Sequence, residues 1–291
     1  LGTLQAGDPV LWQVVVSQPQ GTARFPSAGV ARFPMPDFGL AEVILDVEDP
    51  EKDDHGPGSY VYPTDPVFLP QVFDLKRFQV GVEGDDMVFR FEFHGPIPNP
   101  WGSPNGLALQ TIDVYVDRDP GKGTGARLLL PGRNAALQRD FGWEIALWAE
   151  GWTPGIYAPD EQGKPKPVPG TSLRIAVNPN QRTVLLRAPK RIFGADFDPR
   201  KAAYLAVVLS QEGFPSPGVW RVRDVLPQAA QWRLGGGPDD TNHTRILDVA
   251  WPAGARPTQE EMLSAYRPSK ESNMDRLGPE DFAQLPMLVP K

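Results

Sequence analysis

The chain has no cysteine among its 291 residues, so disulfides, thiolate metal sites and cysteine nucleophiles are excluded from the outset. Histidine is nearly as scarce. His55, His94 and His243 stand far apart and leave no spacing for a zinc site. No apolar run approaches the roughly 18–20 residues that span a bilayer, so no membrane-spanning segment is expected. An excess of positive charge is also missing: the net charge is −7, which argues against nucleic acid as a partner. There is no nucleophile elbow, phosphate-cradling loop or dinucleotide fingerprint. The glycine run Gly235-Gly236-Gly237 leads into Pro238-Asp239-Asp240 rather than a helix. Met87 and His94, side chains of the kind that ligate haem, bracket one apolar run at an odd spacing, which puts them on opposite faces of a strand. Nothing marks catalytic machinery, and the chain is expected not to be an enzyme in itself.

What is plentiful is proline (34) and glycine (29), which cut the chain into short pieces suited to strands and structured loops. Alternating or β-branched runs predict strands at 11–17, 41–47, 73–81, 87–93, 111–117, 143–149, 172–178, 183–189, 203–210 and 218–222. Met87, Phe89, Phe91 and Phe93 share one face at period two and read as core. Residues 160–170 form a polar, proline-rich surface loop. Thr258-Gln259-Glu260-Glu261 is a capping box that opens a short helix to about Tyr266. The expectation is an all-β antiparallel β-sandwich over residues 37–255, with an N-terminal β extension over 1–36 and a helical, irregular tail over 256–291. Gln13–Gln18 with Gly29–Arg32 echoes Ala206–Gln211 with Gly218–Arg221, so the extension reads as the remnant of a preceding domain. The chain opens on Leu1-Gly2-Thr3 without methionine, as a mature form or a piece of a longer protein would.

The densest chemistry lies in Glu48-Asp49-Pro50-Glu51-Lys52-Asp53-Asp54-His55-Gly56-Pro57-Gly58-Ser59-Tyr60-Val61-Tyr62-Pro63. Its carboxylates are the hard oxygen ligands that calcium prefers, and its glycines and prolines can turn carbonyls inward. The same residues also suit a solvated acidic turn in which aspartates cap backbone amides. Asp117-Arg118-Asp119-Pro120-Gly121 is a second acidic turn.

These segments resemble the C-terminal domain of glucodextranase, within the wider DOMON and family-nine carbohydrate-binding-module-like sandwiches, a domain also attached to amylopullulanases. The matching blocks are 49–63 with Phe68 and Phe73-Asp74; Asn99–Gly106 with Gln110 and Asp113–Asp117; Val208–Phe214 with Arg221–Arg223; and Trp232–Gly237 with Asp248. Lys52 departs from the pattern, standing where a glycine is usual. The resemblance implies a non-catalytic, extracellular or cell-surface module, in relatives joined to glycoside hydrolases, that binds α-glucan or an envelope polysaccharide. The alternative is a structural or assembly protein of the cell envelope, surface-layer associated, with no soluble sugar ligand.

On this reading calcium is held by Asp49, Asp53 and Asp54 with a carbonyl near Gly56. Because calcium takes six to eight oxygens, Asp74 or Asp117 is expected to complete the shell. Trp101, on a proline-rich loop, is the expected stacking platform for a sugar, with Tyr60 and Tyr62 beside it and Asn105 and Gln110 as hydroxyl partners. The competing reading has Trp101 plugging the end of the sandwich. Of a second cluster formed by Trp143, Trp148 and Trp152 near Tyr157, Trp143 reads as core, whereas Trp152 and Tyr157, beside glycines and prolines, are binding candidates.

Overall fold

The computed structural model describes residues 9–19, 21–27, 31–34 and 38–291, and the chain divides into two compact units, 1–39 and 40–291. In the first unit β1 (Pro9–Trp12) pairs antiparallel with β4 (Ala31–Pro34), and β2 (Val14–Gln18) with β3 (Gly21–Phe25). The strand expected over 11–17 is thus split between β1 and β2. Gly29 and Val30, on which the internal echo leans, lie outside the described residues.

The second unit is a sandwich of two antiparallel sheets. Its strands are β5 (Val43–Glu48), β6 (Leu75–Glu83), β7 (Asp86–Phe93), β8 (Gln110–Asp117), β9 (Ala135–Leu137), β10 (Ile145–Ala149), β11 (Gly155–Pro159), β12 (Pro165–Pro167), β13 (Arg174–Asn178), β14 (Thr183–Pro189), β15 (Ala203–Ser210) and β16 (Ile246–Val249). A helix, α1 (Gln259–Ser264), and a last strand, β17 (Ala283–Leu285), follow, and β17 pairs in parallel with β9 outside the two main sheets. One sheet runs β13-β14-β7-β6-β5, the other β12-β11-β10-β8-β15-β16. Among the described residues no helix is long and apolar enough to cross a membrane.

The apolar periodicity explains how the sheets stack. Phe78 and Val80 of β6 and Met87, Phe89, Phe91 and Phe93 of β7 pack against Ile112, Val114 and Val116 of β8 and Tyr204, Ala206 and Val208 of β15. The six-stranded sheet is also buried on its other face. There Tyr115, Trp148, Leu205, Val207 and Leu209 lie under Met262, Leu263, Leu285 and Met287 of the C-terminal segment. Burial on both faces is why β8 and β15 are covered from end to end. The tail is therefore a layer of the fold. Its capping box forms as expected, Glu261 N donating to Thr258 Oγ1 and Thr258 N to Glu261 Oε2, though α1 stops at Ser264.

Two expectations need correction. Residues 218–222 form no strand, because Arg221 takes a left-handed backbone (φ +47°) and only Val222 bridges to Gln211. The supposed loop at 160–170 contains β12, an edge strand whose prolines face the unpaired side of the sheet.

Candidate functional site

β5 and β16 are edge strands of opposite sheets, and the acidic loop stitches them together. Asp49, just past β5, accepts Trp251 N on Oδ1 (2.6 Å). Asp248, in β16, accepts Leu75 N on Oδ2 (2.7 Å), and Gly56 N donates to Leu247 O (2.8 Å). Gly56 has to be glycine: its φ is +59°, and a Cβ would come 2.4 Å from the Tyr60 ring. Lys52 also sits at positive φ (+70°), a conformation that glycine adopts more readily. Its amide donates to Asp74 Oδ2 (2.9 Å), while its exposed Nζ turns away to Glu51 (3.3 Å).

Ligand-capable carboxylate oxygens of Asp49, Asp53 and Asp248 all lie within 4.8 Å of one another. The buried oxygens Asp49 Oδ2, Asp53 Oδ1, Asp74 Oδ1 and Asp248 Oδ1 have no hydrogen-bond partner. Buried acceptors are normally paired, so acceptors converging without a donor fit a hard cation. Gln259 closes the other side. Its Oε1 accepts Val249 N (2.6 Å), and its Nε2 donates to Asp53 O and, at 3.5 Å, to Gly56 O. A recess of about 280 Å³ lined by Asp53, Trp251, Thr258, Gln259 and Glu260 adjoins the cluster.

The expected ligand set is thereby redrawn. Asp49 and Asp53 come together, joined by Asp248, to which the sequence reading gave no role. Asp74 Oδ2 is occupied by Lys52 N and Gln71 Nε2, leaving Oδ1 unpaired. Asp54 turns to the Tyr62 hydroxyl, and the Gly56 carbonyl to Gln259. Asp117 belongs to another group, with Asp119 and Glu144. There Asp117 Oδ1 and Oδ2 accept Asp119 N and Gly142 N, and Thr124 bridges Asp119 and Glu144.

Burial, and next the charge of Asp74, push Asp53 up to about 7; burial pushes Asp74 up to about 6. Asp49 and Asp248 are raised well above the ordinary carboxylate range, by burial first and then by the neighbouring aspartates. These acids bind more protons folded than unfolded between their unfolded and folded pKa values, so folded stability falls as pH rises from about 4 to about 7. In chelator the thermal midpoint is expected to drop across that window and to stay nearly level in excess calcium, which replaces the protons. A midpoint that rises with pH in chelator would refute this electrostatic picture.

The aromatic candidates separate as sharply. Trp101 is 45% exposed and lies 6.2 Å, centroid to centroid, from Trp232, itself 37% exposed. Phe68 backs Trp232 edge-on at 6.1 Å, and Arg223 and Arg233 both donate to the Trp232 carbonyl. The rim of this pair thus includes a residue that sequence reasoning quoted without assigning a role. Tyr60 and Gln110 are buried and cannot meet a sugar: the Tyr60 hydroxyl donates to Thr244 O and Gln110 Nε2 to Val72 O. Tyr62 packs edge-on against Phe73 and donates to Asp54. Asn105 Nδ2 donates to Gly151 O (3.1 Å), and Asn99 pairs with both the N–H and the carbonyl of Ser103, so these amides hold the Trp101 loop.

The family model of the C-terminal, SLH-like binding module of glucodextranase matches residues 44–275. No individual curated protein matches the chain. The chain belongs to the family of glucodextranase C-terminal binding modules.

Proposed function

From that membership and the two sites just described, we propose that this chain is a non-catalytic, extracellular or cell-surface carbohydrate-binding module whose acidic loop is ordered by calcium. The ligand is an α-glucan or a related envelope polysaccharide. The observation that carries the reading is the exposed Trp101–Trp232 pair, held on a loop whose amides are already engaged. Two indole faces fixed in this way can meet the apolar faces of pyranose rings at little cost in side-chain entropy. Calcium at Asp49, Asp53 and Asp248, with Asp74 beside them, would neutralise the loop and fix the join between the sheets; it takes no part in chemistry on the sugar.

The test is affinity electrophoresis against amylose, pullulan, dextran and purified envelope polysaccharide, with and without chelator. Retardation by an α-glucan is expected, weaker on chelation. Trp101→Ala is expected to reduce the affinity about tenfold, since stacking contributes on the order of 0.5–1.5 kcal/mol beyond its area. Unchanged affinity in Trp101→Ala would remove the assigned platform. The SLH-like character of the family favours a second reading, assembly into the cell envelope without a soluble sugar ligand. On that reading no gel shows retardation and the protein is recovered with an envelope component.

A further inference from the structure

α1 is only six residues long, too short to hold a helix by its own hydrogen bonds, so its order comes from what it touches. Met262 and Leu263 are buried against the outer face of the six-stranded sheet. The first turn faces the acidic loop instead. Gln259 is buried and spans loop and strand. Its Oε1 accepts Val249 N of β16 (2.6 Å), and its Nε2 donates to Asp53 O and, at 3.4 Å, to Leu247 O.

The next residue, Glu260, is exposed and lies over the same loop. Its Oε1 sits beside Gly58, where a Cβ would stand 2.8 Å from it. Glu260 and Asp53 line one recess of about 280 Å³, which gives the acidic cluster an opening on the side of α1. Burial, then the charges of Asp74, Asp54 and Glu260, raise the Asp53 carboxyl, so Glu260 is near enough to be felt there. The two acids of this turn differ in their partners. Glu261 pairs with Arg256 and completes the capping box, whereas Glu260 makes no hydrogen bond or ion pair among the described residues.

An acid with no cationic partner, held over a group of buried aspartates, adds repulsion to the fold. A cation between them reverses the sign. Asp49 Oδ1 and Asp248 Oδ2 are engaged by backbone amides, which leaves Asp49 Oδ2, Asp53 Oδ1 and Asp248 Oδ1 buried and unpaired. Calcium takes six to eight oxygens, so these leave its shell short, and a carboxylate on the open side is what it lacks.

We propose that Glu260 is a further ligand of the cation, and that calcium thereby clips α1 to the acidic loop. The proposal rests on the calcium reading of the cluster and adds a residue of the C-terminal layer to which that reading gives no role. With the ion bound, the first turn of α1 is secured over β16. With the ion removed, Glu260 and Asp53 repel and α1 opens from that end.

The test titrates calcium by calorimetry into the full chain, Glu260→Gln and Glu261→Gln, and follows amide hydrogen exchange in calcium and in chelator. Both variants remove one charge from the same turn, and glutamine at 261 retains the capping box, so direct ligation is what separates them. Glu260→Gln is expected to weaken calcium about tenfold or more, because affinity follows the charge count of the ligands, while Glu261→Gln binds nearly as the parent does. In the parent, chelator is expected to speed exchange across α1 while β7 stays protected. Equal weakening in both variants would mean that Glu260 acts through net charge alone. Parental affinity in Glu260→Gln would mean that it does not reach the ion. Either result overturns the proposal and leaves calcium at the aspartates standing. Exchange in α1 that ignores chelator overturns the clip. A parent that binds no calcium overturns the calcium reading, and the clip with it.

Discussion

Chelating calcium at pH 7 is expected to lower the midpoint of thermal unfolding by roughly 10 °C, since a ligand at a thousandfold its dissociation constant contributes about 4 kcal/mol and a domain of this size shifts by about 2–4 °C per kcal/mol. The cause is the meeting of Asp49, Asp53 and Asp248 within 4.8 Å. At that separation two unit charges in a medium of effective dielectric near 20 repel by roughly 3–4 kcal/mol, so without a cation the group keeps protons toward neutral pH. On the proposed reading, calcium would replace the protons and supply the partner that the unpaired oxygens lack. Asp248→Asn separates this account from one in which the loop is merely acidic. The amide oxygen can still accept Leu75 N, and the new NH₂ can donate to Asp49 or Asp53. The chelated variant is therefore expected to be at least as stable as the chelated parent and to gain nothing from calcium. Asp117→Asn, in the separate and internally satisfied group, is expected to keep the full calcium response. Differential scanning calorimetry of the three proteins decides the matter: a calcium gain that survives Asp248→Asn, or disappears in Asp117→Asn, would place the ion elsewhere.

The long strands were legible because their periodicity is clean. Met87, Phe89, Phe91 and Phe93 alternate as a half-buried strand should, and Thr183–Pro189 and Ala203–Ser210 were expected at the bounds they take. The short pieces were not. β9, β12 and β17 hold three residues each, and such segments are strands only through their partners. The acidic loop was visible as composition, but its geometry was not. Asp248 reaches it from about two hundred residues away, and the only local sign is an acid inside the apolar run Ile246-Leu247-Asp248-Val249. Tyr60 and Tyr62 misled for a related reason. Tyrosines beside glycine and proline look exposed, yet here the loop folds inward and each hydroxyl finds a buried acceptor. Trp232 was hidden because its pairing with Trp101 joins loops on different parts of the chain.

Arg133→Met is expected to destabilise the protein by about 3–5 kcal/mol, the cost of leaving a buried charge without its partner. Arg133 and Asp113 are both fully buried under the outer face of the six-stranded sheet. The guanidinium grips the carboxylate with Nε (2.6 Å) and Nη2 (3.0 Å), while Nη1 holds the carbonyls of Pro131 (2.8 Å) and Trp220 (3.0 Å). Once it is removed, Asp113 keeps the Tyr115 hydroxyl (3.0 Å) in a fully buried site. Urea denaturation should therefore show a large fall in midpoint for the single variant and recovery of at least half the loss in Arg133→Met/Asp113→Leu, where no charge is stranded. A double variant as unstable as the single one would mean that the hydrogen bonds to Pro131 and Trp220, rather than the ion pair, govern this layer.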